Sequence, residues 1–326
     1  MNSSIDNIRF DAAITAAGQL RARLNERLIG QPTVVDQILT ALLANGHVLV
    51  EGVPGLGKTL LVRVLAGCFA GEFRRIQFTP DLMPGDITGH VLFDMRESRF
   101  HMRRGPVFTN LLLADEVNRA PAKTQAALLE VMQERQVTID GDAHAVPRPF
   151  MVLATQNPIE HEGTYPLPEA ELDRFLMKIF IDYPSAADEV EITRSITGIV
   201  GGKPAGDGPE TALLDADAIL ALQQTAVAVA VDDRVLDYAV RLVRATRGHA
   251  ALLRGAGTRA CLALITCARA HALLRGARFV LPDDIKTMAL PVMRHRVALS
   301  ASAEIDGLDA DRVLGRIIET VAAPRE

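Results

Sequence analysis

Residues 48–59 constrain the fold of this 326-residue chain more than any other stretch. Val48, Leu49 and Val50 form a short apolar run that predicts a buried β-strand. The pattern Gly52-x-x-x-x-Gly57-Lys58-Thr59 follows, and an apolar stripe at helical spacing comes next. A strand, a glycine loop and a helix in this order predict a loop whose backbone N–H groups surround phosphate oxygens at a helix N-terminus.

The residue types of this loop suit a nucleoside triphosphate with Mg²⁺. Lys58 supplies a positive charge for the outer phosphates, and the Thr59 hydroxyl can ligate Mg²⁺. The alternative is a glycine-rich turn with a surface lysine, which the flanking strand and helix disfavour. The predicted nucleotide contacts in this stretch are Gly52, Val53, Pro54, Gly55, Leu56, Gly57, Lys58, Thr59 and Leu60.

Two carboxylates follow the apolar run 110–114, which predicts another buried strand. Asp115 can hold Mg²⁺ through its water shell, because Mg²⁺ is a hard cation that keeps its waters. Glu116 can polarise or orient an attacking water. A pair of solvated carboxylates at a strand end is the alternative.

Three further residues are candidates for contact with the γ-phosphate or its transition state. Asn157 ends the apolar run 150–155 and offers a neutral amide, although an asparagine in that place is also a common turn residue. Arg174 precedes the strand candidate 178–181 and can stabilise phosphoryl charge, or it can form a salt bridge with Glu171 or Asp173. Arg259 begins a predicted helix and could face a phosphate across a cleft between domains.

The order of these elements predicts an α/β fold with two domains. Alternating strands and helices over 1–187 predict a three-layer αβα core around a parallel sheet, with hairpin inserts near 86–104 and 136–148. Residues 188–210 hold a glycine-rich run and are a predicted hinge. Residues 211–326 are a predicted all-helical lid, with helices near 215–229, 232–247, 258–275, 283–296 and 310–322.

Composition narrows the possible compartment and partners. The net charge of −5 is too small to indicate a nucleic acid or a membrane as a partner by bulk attraction. No apolar run reaches the roughly 18 residues of a membrane span, and the N-terminus lacks the pattern of a signal peptide. Cys68, Cys261 and Cys267 have no metal-site spacing, so we expect buried free thiols and a cytoplasmic location.

The chain resembles the MoxR family of AAA+ ATPases, a branch of the P-loop NTPases. The resemblance extends over most of the chain between about residues 28 and 296, so it is much more specific than the phosphate loop alone. The stretches that carry it are 29–31, 51–59, 74–82, 113–121, 154–158, 162–175 and 291–296.

The resemblance implies roles for the candidate residues. Asn157 matches the first sensor, Arg174 the arginine finger that acts on a neighbouring subunit's ATP, and Arg259 the second sensor. Ile29 and Gly30 match the part of the family that lies near the adenine. One departure is Gly257-Thr258, where family members often carry Ser-Pro before the second-sensor arginine.

The resemblance also implies ATP and Mg²⁺ as cofactors and a homo-oligomer, commonly a hexameric ring. Such rings are chaperone-like machines that mature partner complexes, often proteins with a von Willebrand A domain. A nucleotide-gated scaffold with slow hydrolysis is an alternative. A nucleic-acid motor is a weaker one, because neither predicted hairpin shows dense Lys and Arg with interleaved aromatic residues.

Overall fold

The structure is a computed structural model that describes residues 2–52, 56–157, 164–197 and 212–324. Three of the predicted nucleotide contacts, Val53, Pro54 and Gly55, lie outside the described residues, as does the glycine-rich part of the predicted hinge. Within the described ranges, no helix is both long and apolar enough to cross a membrane.

The described chain alternates strands and helices before it becomes largely helical. The strands are β1 Val48–Glu51, β2 Phe73–Gln77, β3 Gly89–Asp94, β4 Arg99–Arg104, β5 Leu111–Asp115, β6 Gln136–Ile139, β7 Asp142–Ala145, β8 Met151–Gln156, β9 Met177–Phe180, β10 Leu252–Arg254 and β11 Ala298–Leu299. The helices are α1 Asn2–Arg27, α2 Pro32–Leu43, α3 Lys58–Cys68, α4 Pro84–Thr88, α5 Ala122–Glu134, α6 Glu169–Leu172, α7 Ala186–Thr197, α8 Ala216–Val227, α9 Asp233–Arg247, α10 Thr258–Leu274, α11 Pro282–Met293, α12 Ala301–Ile305 and α13 Ala310–Thr320.

A five-stranded sheet of order β2-β5-β8-β1-β9 lies at the centre, and all of its strand pairs are parallel. Successive residues of each strand face opposite sides, so Val48 and Val50 pack with α2 and α3 while Leu49 packs with α5. Both faces are therefore apolar and covered by helices, as parallel sheets require. This arrangement, with a helical region at the C-terminal end, confirms the predicted fold class.

The C-terminal helices share one hydrophobic core with the N-terminal helices and the sheet. Helix α10 packs against α2 and α1, and the buried Gln223 side chain donates a hydrogen bond of 2.8 Å to the Leu42 carbonyl oxygen. The backbone N–H groups of Leu213 and Leu214 both donate to the Cys68 carbonyl oxygen. The helical region is thus packed on the core, a pairing of distant apolar stripes that cannot be read from local patterns. The division into a core, a hinge and a lid stays a prediction.

Two local differences from the sequence prediction concern the same region. Helix α7 occupies the first half of the predicted hinge 188–210. The short antiparallel pair β10–β11 and the five-residue helix α12 lie in the part predicted as long helices and loops. These elements are too short to produce a periodic apolar signal, so sequence patterns do not detect them.

Two antiparallel hairpins extend from the core. The hairpin β3–β4 precedes β5, and the hairpin β6–β7 follows α5. The first hairpin presents Phe93 and Phe100 as a cross-strand pair with ring centroids 5.1 Å apart. These rings are 53% and 73% exposed, and Met95 at the turn is 82% exposed, so the outer part of this hairpin is an apolar surface without a covering element among the described residues.

His47 ties three elements together beneath the start of β1. Its Nε2 donates to the Met132 carbonyl oxygen at 3.0 Å, and its Nδ1 accepts the Val152 backbone N–H at 2.9 Å. One ring nitrogen donates and the other accepts, which is possible only for the neutral imidazole. Burial accordingly lowers the pKa of His47 to about 4.

We expect the free energy of unfolding to decrease as the pH falls from 6.5 to about 4, because unfolded His47 gains a proton over this range and folded His47 does not. At about 1.4 kcal/mol per pKa unit, the loss amounts to about 3 kcal/mol. Denaturant unfolding at a series of pH values measures it. In the His47→Gln control, whose amide can still donate and accept, this part of the pH dependence should disappear; equal slopes in both proteins would contradict the assignment.

Candidate nucleotide site

Parallel pairing brings the candidate residues of three strands to one edge of the sheet. In the register, Glu51 pairs with Gln156 and Ala114 pairs with Ala154. The residues that follow β1, β8 and β5 therefore lie side by side at the carboxyl ends of the strands, which we call the carboxyl edge. Ligands of open parallel sheets bind at this edge.

The phosphate cradle, residues 52 and 56–59, begins at this edge. A Cβ atom on Gly52 would lie 2.5 Å from the Ile181 carbonyl oxygen, so only glycine permits this approach of two backbones. Gly57 has a φ of 76° and caps α3 in the left-handed conformation. The first N–H groups of α3, at Lys58 and Thr59, have no partner within the helix and are available to an anion.

Lys58 lies inside the cradle, half-buried. Its Nζ donates a hydrogen bond of 2.6 Å to the Gly52 carbonyl oxygen. Burial lowers the Lys58 pKa, and the nearby carboxylates Asp115, Glu116 and Glu51 oppose this by favouring the charged form. The ammonium group is therefore held between the loop and the acidic residues, where it can contact an outer phosphate.

Asp115 and Glu116 are joined through one hydroxyl group. Thr155 Oγ1 donates to Asp115 Oδ1 at 2.5 Å and accepts the Glu116 backbone N–H at 2.9 Å. The other oxygen of Asp115, Oδ2, forms an ion pair of 2.6 Å with Arg75. The Asp115 carboxylate is thus fixed on two sides at the carboxyl edge.

Glu116 is turned toward the same edge by its backbone. Its φ of 58° ends the alternation of β5, which would otherwise point neighbouring side chains to opposite faces. Its Oε2 accepts a hydrogen bond of 2.7 Å from Gln77 Nε2 and lies 3.1 Å from Arg119 Nε. This sharp turn after β5 brings the Glu116 carboxylate to the same edge as that of Asp115.

The oxygen types at this edge fit a magnesium ion. Asp115 offers a carboxylate, and Thr59, half-buried in the first turn of α3, offers a hydroxyl. Hard oxygen donors of this kind, few in number, leave room for the waters and phosphate oxygens that Mg²⁺ prefers. Asn157 directly follows β8 at the carboxyl edge, and it is buried, with 8% of its surface exposed. Leu56 and Leu60 flank the cradle on either side, and Leu60 is exposed.

The segment that contains Ile29 and Gly30 lies beside the cradle. Gln31 Nε2 donates to the Asp182 carbonyl oxygen at 2.8 Å, and Gly30 lies against the Asp188 side chain. Residues 181–188 follow β9 and contact Gly52 through Ile181. The segment 29–31 is therefore next to the end of the cradle, which is where the base of a bound nucleotide can extend.

Arg174 and Arg259 lie elsewhere. Arg174 precedes β9 and donates a hydrogen bond of 3.1 Å to the Leu129 carbonyl oxygen, and Arg259 Nη1 is 3.4 Å from Asp173 Oδ2. Both arginines line a cavity of about 320 Å³, together with Asn45 and His47, which precede β1. This cavity is therefore at the opposite, amino edge of the sheet.

The two edges are separated by the length of the strands. A strand of four residues, such as β1 or β9, spans about 13 Å. The structure accordingly does not bring Arg174 or Arg259 to the cradle of its own chain. The expectation that Arg259 faces a phosphate across a cleft does not hold for this cradle, because α10 begins at the amino edge.

Comparison with known proteins agrees with this geometry. Family models of the ATPase family associated with various cellular activities (AAA) and of the AAA lid domain match residues 47–177 and 242–317. The chain is 46% identical over 309 residues to the chaperone MoxR1 of Mycobacterium tuberculosis, an alignment that covers 91% of this chain and 80% of that protein. It is 32% identical to the protein MoxR of Paracoccus denitrificans, with 87% and 88% covered. The chain belongs to the MoxR family of AAA+ ATPases.

A solved structure extends the similarity to the whole fold. A crystal structure from Cytophaga hutchinsonii, described only provisionally as an ATPase, superimposes on this MoxR-family chain with a TM-score of 0.91 and 36% identity, and each chain is covered to 100%. The sheet, the hairpins and the packed helical region are therefore a shared architecture.

Sequence reasoning missed the residues that position the two carboxylates of this MoxR-family site. Thr155 bonds the Asp115 carboxylate and the Glu116 backbone N–H, Arg75 pairs with Asp115, and Gln77 bonds the Glu116 carboxylate. Arg75 and Gln77 are on β2, which pairs with β5 so that Gln77 lies opposite Asp115. The sequence signal available was that Arg75 and Gln77 are polar residues at a strand end. The strand order, which makes them neighbours of Asp115 and Glu116, cannot be read from the sequence.

We expect Lys58→Ala to weaken nucleotide binding by about tenfold or more, because hydrogen bonds to charged groups contribute about 1.5–3 kcal/mol. Titration with a fluorescent ATP analogue measures the affinity. Lys123→Ala, which removes an exposed lysine of α5, is the matched control and should bind normally. Equal affinity of the two variants would show that Lys58 does not contact the phosphates.

Proposed function

We propose that this chain is an Mg-ATP-dependent remodelling ATPase that works as a homo-oligomeric ring, hexameric as is common in the family. The observation that supports this most directly is the separation of the phosphate cradle from Arg174 and Arg259. The cradle of one copy contains Lys58 but neither Arg174 nor Arg259, so in this proposal one copy alone does not form a complete site. A second copy that presents its amino edge to the carboxyl edge of the first would complete the site.

In this proposal the residues of the carboxyl edge bind ATP and prepare the water. Thr59 and Asp115 hold Mg²⁺, which neutralises charge on the β- and γ-phosphates when bound. Lys58 and the α3 N-terminus bind the same phosphates. Glu116, held by Gln77 and by its own turned backbone, orients the attacking water, and Asn157 contacts the water or the γ-phosphate.

The neighbouring copy supplies Arg174 as the arginine finger and Arg259 as the second sensor. The two side chains line the same cavity, and Arg259 is 59% exposed, so it is accessible to another chain. Beside them Leu262, which also lines the cavity, is 67% exposed. An accessible arginine pair next to exposed apolar surface suits a contact between subunits. We therefore place both arginines in trans.

The first hairpin supports a protein as the client. Its exposed Phe93 and Phe100 pair and Met95 offer an apolar contact surface, and one relative bears the name chaperone. A partner with a von Willebrand A domain is the class we favour, on the resemblance to the family. The alternative is a nucleotide-gated scaffold, in which slow hydrolysis only times the release of the partner. A client that stimulates ATP turnover and changes its own structure would favour remodelling over this alternative.

We also propose a cytoplasmic location. Cys68, Cys261 and Cys267 are buried, and none of them forms a disulfide bond. Burial raises the pKa of Cys267 to about 12 and so keeps it in the thiol form. Buried cysteines that form no disulfide are usual in a reducing compartment. We do not propose a nucleic acid as a partner.

We expect Glu116→Gln and Arg174→Ala to separate binding from turnover. Both variants should bind ATP with wild-type affinity, because neither change removes a cradle contact. The rate of phosphate release should fall by about 100-fold or more without the water-orienting carboxylate and by about 1,000-fold without the finger. Phosphate release and analogue binding are measured on the same preparations.

Arg316→Ala, which removes an exposed arginine of α13, is the control for the second variant and should turn over normally. Wild-type turnover by Glu116→Gln would refute the role of that carboxylate. Activity per subunit that stays constant on dilution to the monomer would refute a finger supplied by a neighbour.

We expect the double variant Phe93→Ser and Phe100→Ser to retain basal ATP turnover and to lose client binding by about tenfold or more, because burying each aromatic side chain contributes about 1.5–3 kcal/mol. Pull-down with a candidate von Willebrand A domain protein, on the ATP-bound Glu116→Gln background, measures binding. Ile305→Ser removes a residue that is 85% exposed on α12 and is the control. Unchanged client capture by the double variant would exclude this hairpin as the contact surface.

A further inference from the structure

Three consecutive residues at the end of α11, Arg294, His295 and Arg296, bind the segment that contains Arg174. The sequence marks this stretch as part of the family resemblance but assigns it no role. In the structure it contacts the backbone of residues 173–178, which we call the finger segment. The helical region therefore holds the finger segment directly.

Arg296 makes the densest set of these contacts. Its Nε forms an ion pair of 2.7 Å with Asp173 Oδ1, its Nη2 donates to the Phe175 carbonyl oxygen at 2.7 Å, and its Nη1 donates to the Leu176 carbonyl oxygen at 3.1 Å. The Arg296 side chain is only 4% exposed. One guanidinium thus fixes the residues on both sides of Arg174.

The other two residues of the stretch extend this contact along the segment. His295 Nε2 donates to the Phe175 carbonyl oxygen at 3.0 Å, and Arg294 Nη1 donates to the Lys178 carbonyl oxygen at 3.3 Å. The Arg294 guanidinium also lies 4.2 Å from the centroid of the Phe180 ring. These contacts dock the end of α11 along the segment and along β9, and Arg296 is the member that contacts residues on both sides of Arg174.

Asp173 connects Arg296 to the second arginine of the cavity. One of its oxygens, Oδ1, pairs with Arg296, and the other, Oδ2, is 3.4 Å from Arg259 Nη1. A single carboxylate therefore lies between the buried Arg296 and the exposed Arg259. The same cluster fixes the backbone of Arg174 and the side-chain position of Arg259.

Stability alone is a weak reason for this cluster. Burying a guanidinium removes it from water at a cost that its ion pair only partly offsets, and apolar residues of similar volume usually stabilise a fold as well. Position is a stronger reason, because displacement of a catalytic group by about 1 Å can lower a rate by about 100-fold. A planar, multiply donating side chain suits this task better than a point charge does.

We propose that Arg296 is a positioning residue for the arginine pair: it holds Arg174 and Arg259 where they can reach the ATP of the neighbouring subunit. This inference rests on the proposed function, since it assumes that the pair acts on another chain's site. It also predicts an effect that the proposed function alone does not predict. A residue of the helical region should affect turnover in the adjacent subunit and leave ATP binding in its own subunit unchanged.

The first test compares binding with turnover in Arg296→Lys and Asp173→Asn. Lysine keeps the positive charge of Arg296 but loses its planar, multiply donating guanidinium. Asparagine keeps the size of Asp173 but loses its ion pairs with Arg296 and Arg259. Both should bind a fluorescent ATP analogue normally and turn over about 10- to 100-fold more slowly. Normal turnover in both variants would overturn the proposal.

Arg275→Lys is the matched control for damage to the helical region. Arg275 forms two hydrogen bonds with the buried Asp284 carboxylate within that region. Its Nε donates to Oδ1 at 3.1 Å, and its Nη2 donates to Oδ2 at 3.0 Å. The Arg275→Lys variant should have a lower melting temperature than the wild type and a normal rate of ATP turnover. If it loses turnover as Arg296→Lys does, a general loosening of the helices explains both, and the positioning role is wrong.

The second test is complementation in mixed rings. Arg296→Lys subunits, which keep Glu116, are co-expressed with Glu116→Gln subunits, which keep the whole arginine cluster. Each parent alone turns over slowly. In a mixed ring, the cradle of an Arg296→Lys subunit can lie next to the intact arginine cluster of a Glu116→Gln subunit. A site formed in this way is complete, so turnover should exceed that of both parents. No gain would mean that Arg296 acts on its own cradle or only on stability.

A parallel mixture with Arg174→Ala in place of Arg296→Lys separates this inference from the proposed function. A gain with Arg174→Ala but none with Arg296→Lys overturns the positioning role and leaves the finger in trans. No gain in either mixture overturns both. If Arg296→Lys fails to bind the analogue, Asp173→Asn takes its place in the mixture, because its side chain is 30% exposed and asparagine keeps its size.

Discussion

The parallel register of the central sheet is the constraint on which the rest of the structure depends. Because β1, β5 and β8 run in one direction, their ends place Gly52, Asp115 and Asn157 together without any long-range search for side-chain partners. The same register sends the start of β9, and with it Arg174, to the other edge. The sheet therefore keeps the phosphate cradle and the two arginines at opposite edges, and in the proposed function each edge supplies one half of a site.

Asp115 and Glu116 at the carboxyl edge are held in place by neutral and cationic neighbours. Thr155 and Gln77 bond the two carboxylates, while Arg75 and Lys58 balance their charge. Fixed donors let Asp115 and Glu116 differ in orientation, so that one can take a metal role and the other a role toward water.

Sequence patterns predicted the parts of this protein that depend on local order. The loop from Gly52 to Thr59, the carboxylates after β5 and the αβα class follow from periodicity and from residue types at strand ends, and the fold class is confirmed. The position of Arg259 and the neighbours of Asp115 did not follow. The neighbours of Asp115 depend on the strand order. The position of Arg259 depends on the docking of α10 and α11, whose contacts with Asp173 join residues more than 80 positions apart.

The shared core of the N-terminal and C-terminal helices was also beyond sequence patterns, for a related reason. Leu39 and Leu42 on α2 and Ala260 and Leu264 on α10 read as two separate amphipathic stripes. An apolar stripe indicates that it is buried but not against which partner. Only the assembled structure shows that these stripes belong to one cluster.

That common core limits how the protein can be dissected. An expression fragment that ends near residue 197 would leave the apolar face of α2 uncovered, and the complementary fragment would expose the buried side of α10. Each piece would lose burial that the intact chain uses for its stability, and each would be prone to aggregate. Biochemistry on this protein is therefore best done with the full chain and point substitutions rather than with isolated halves.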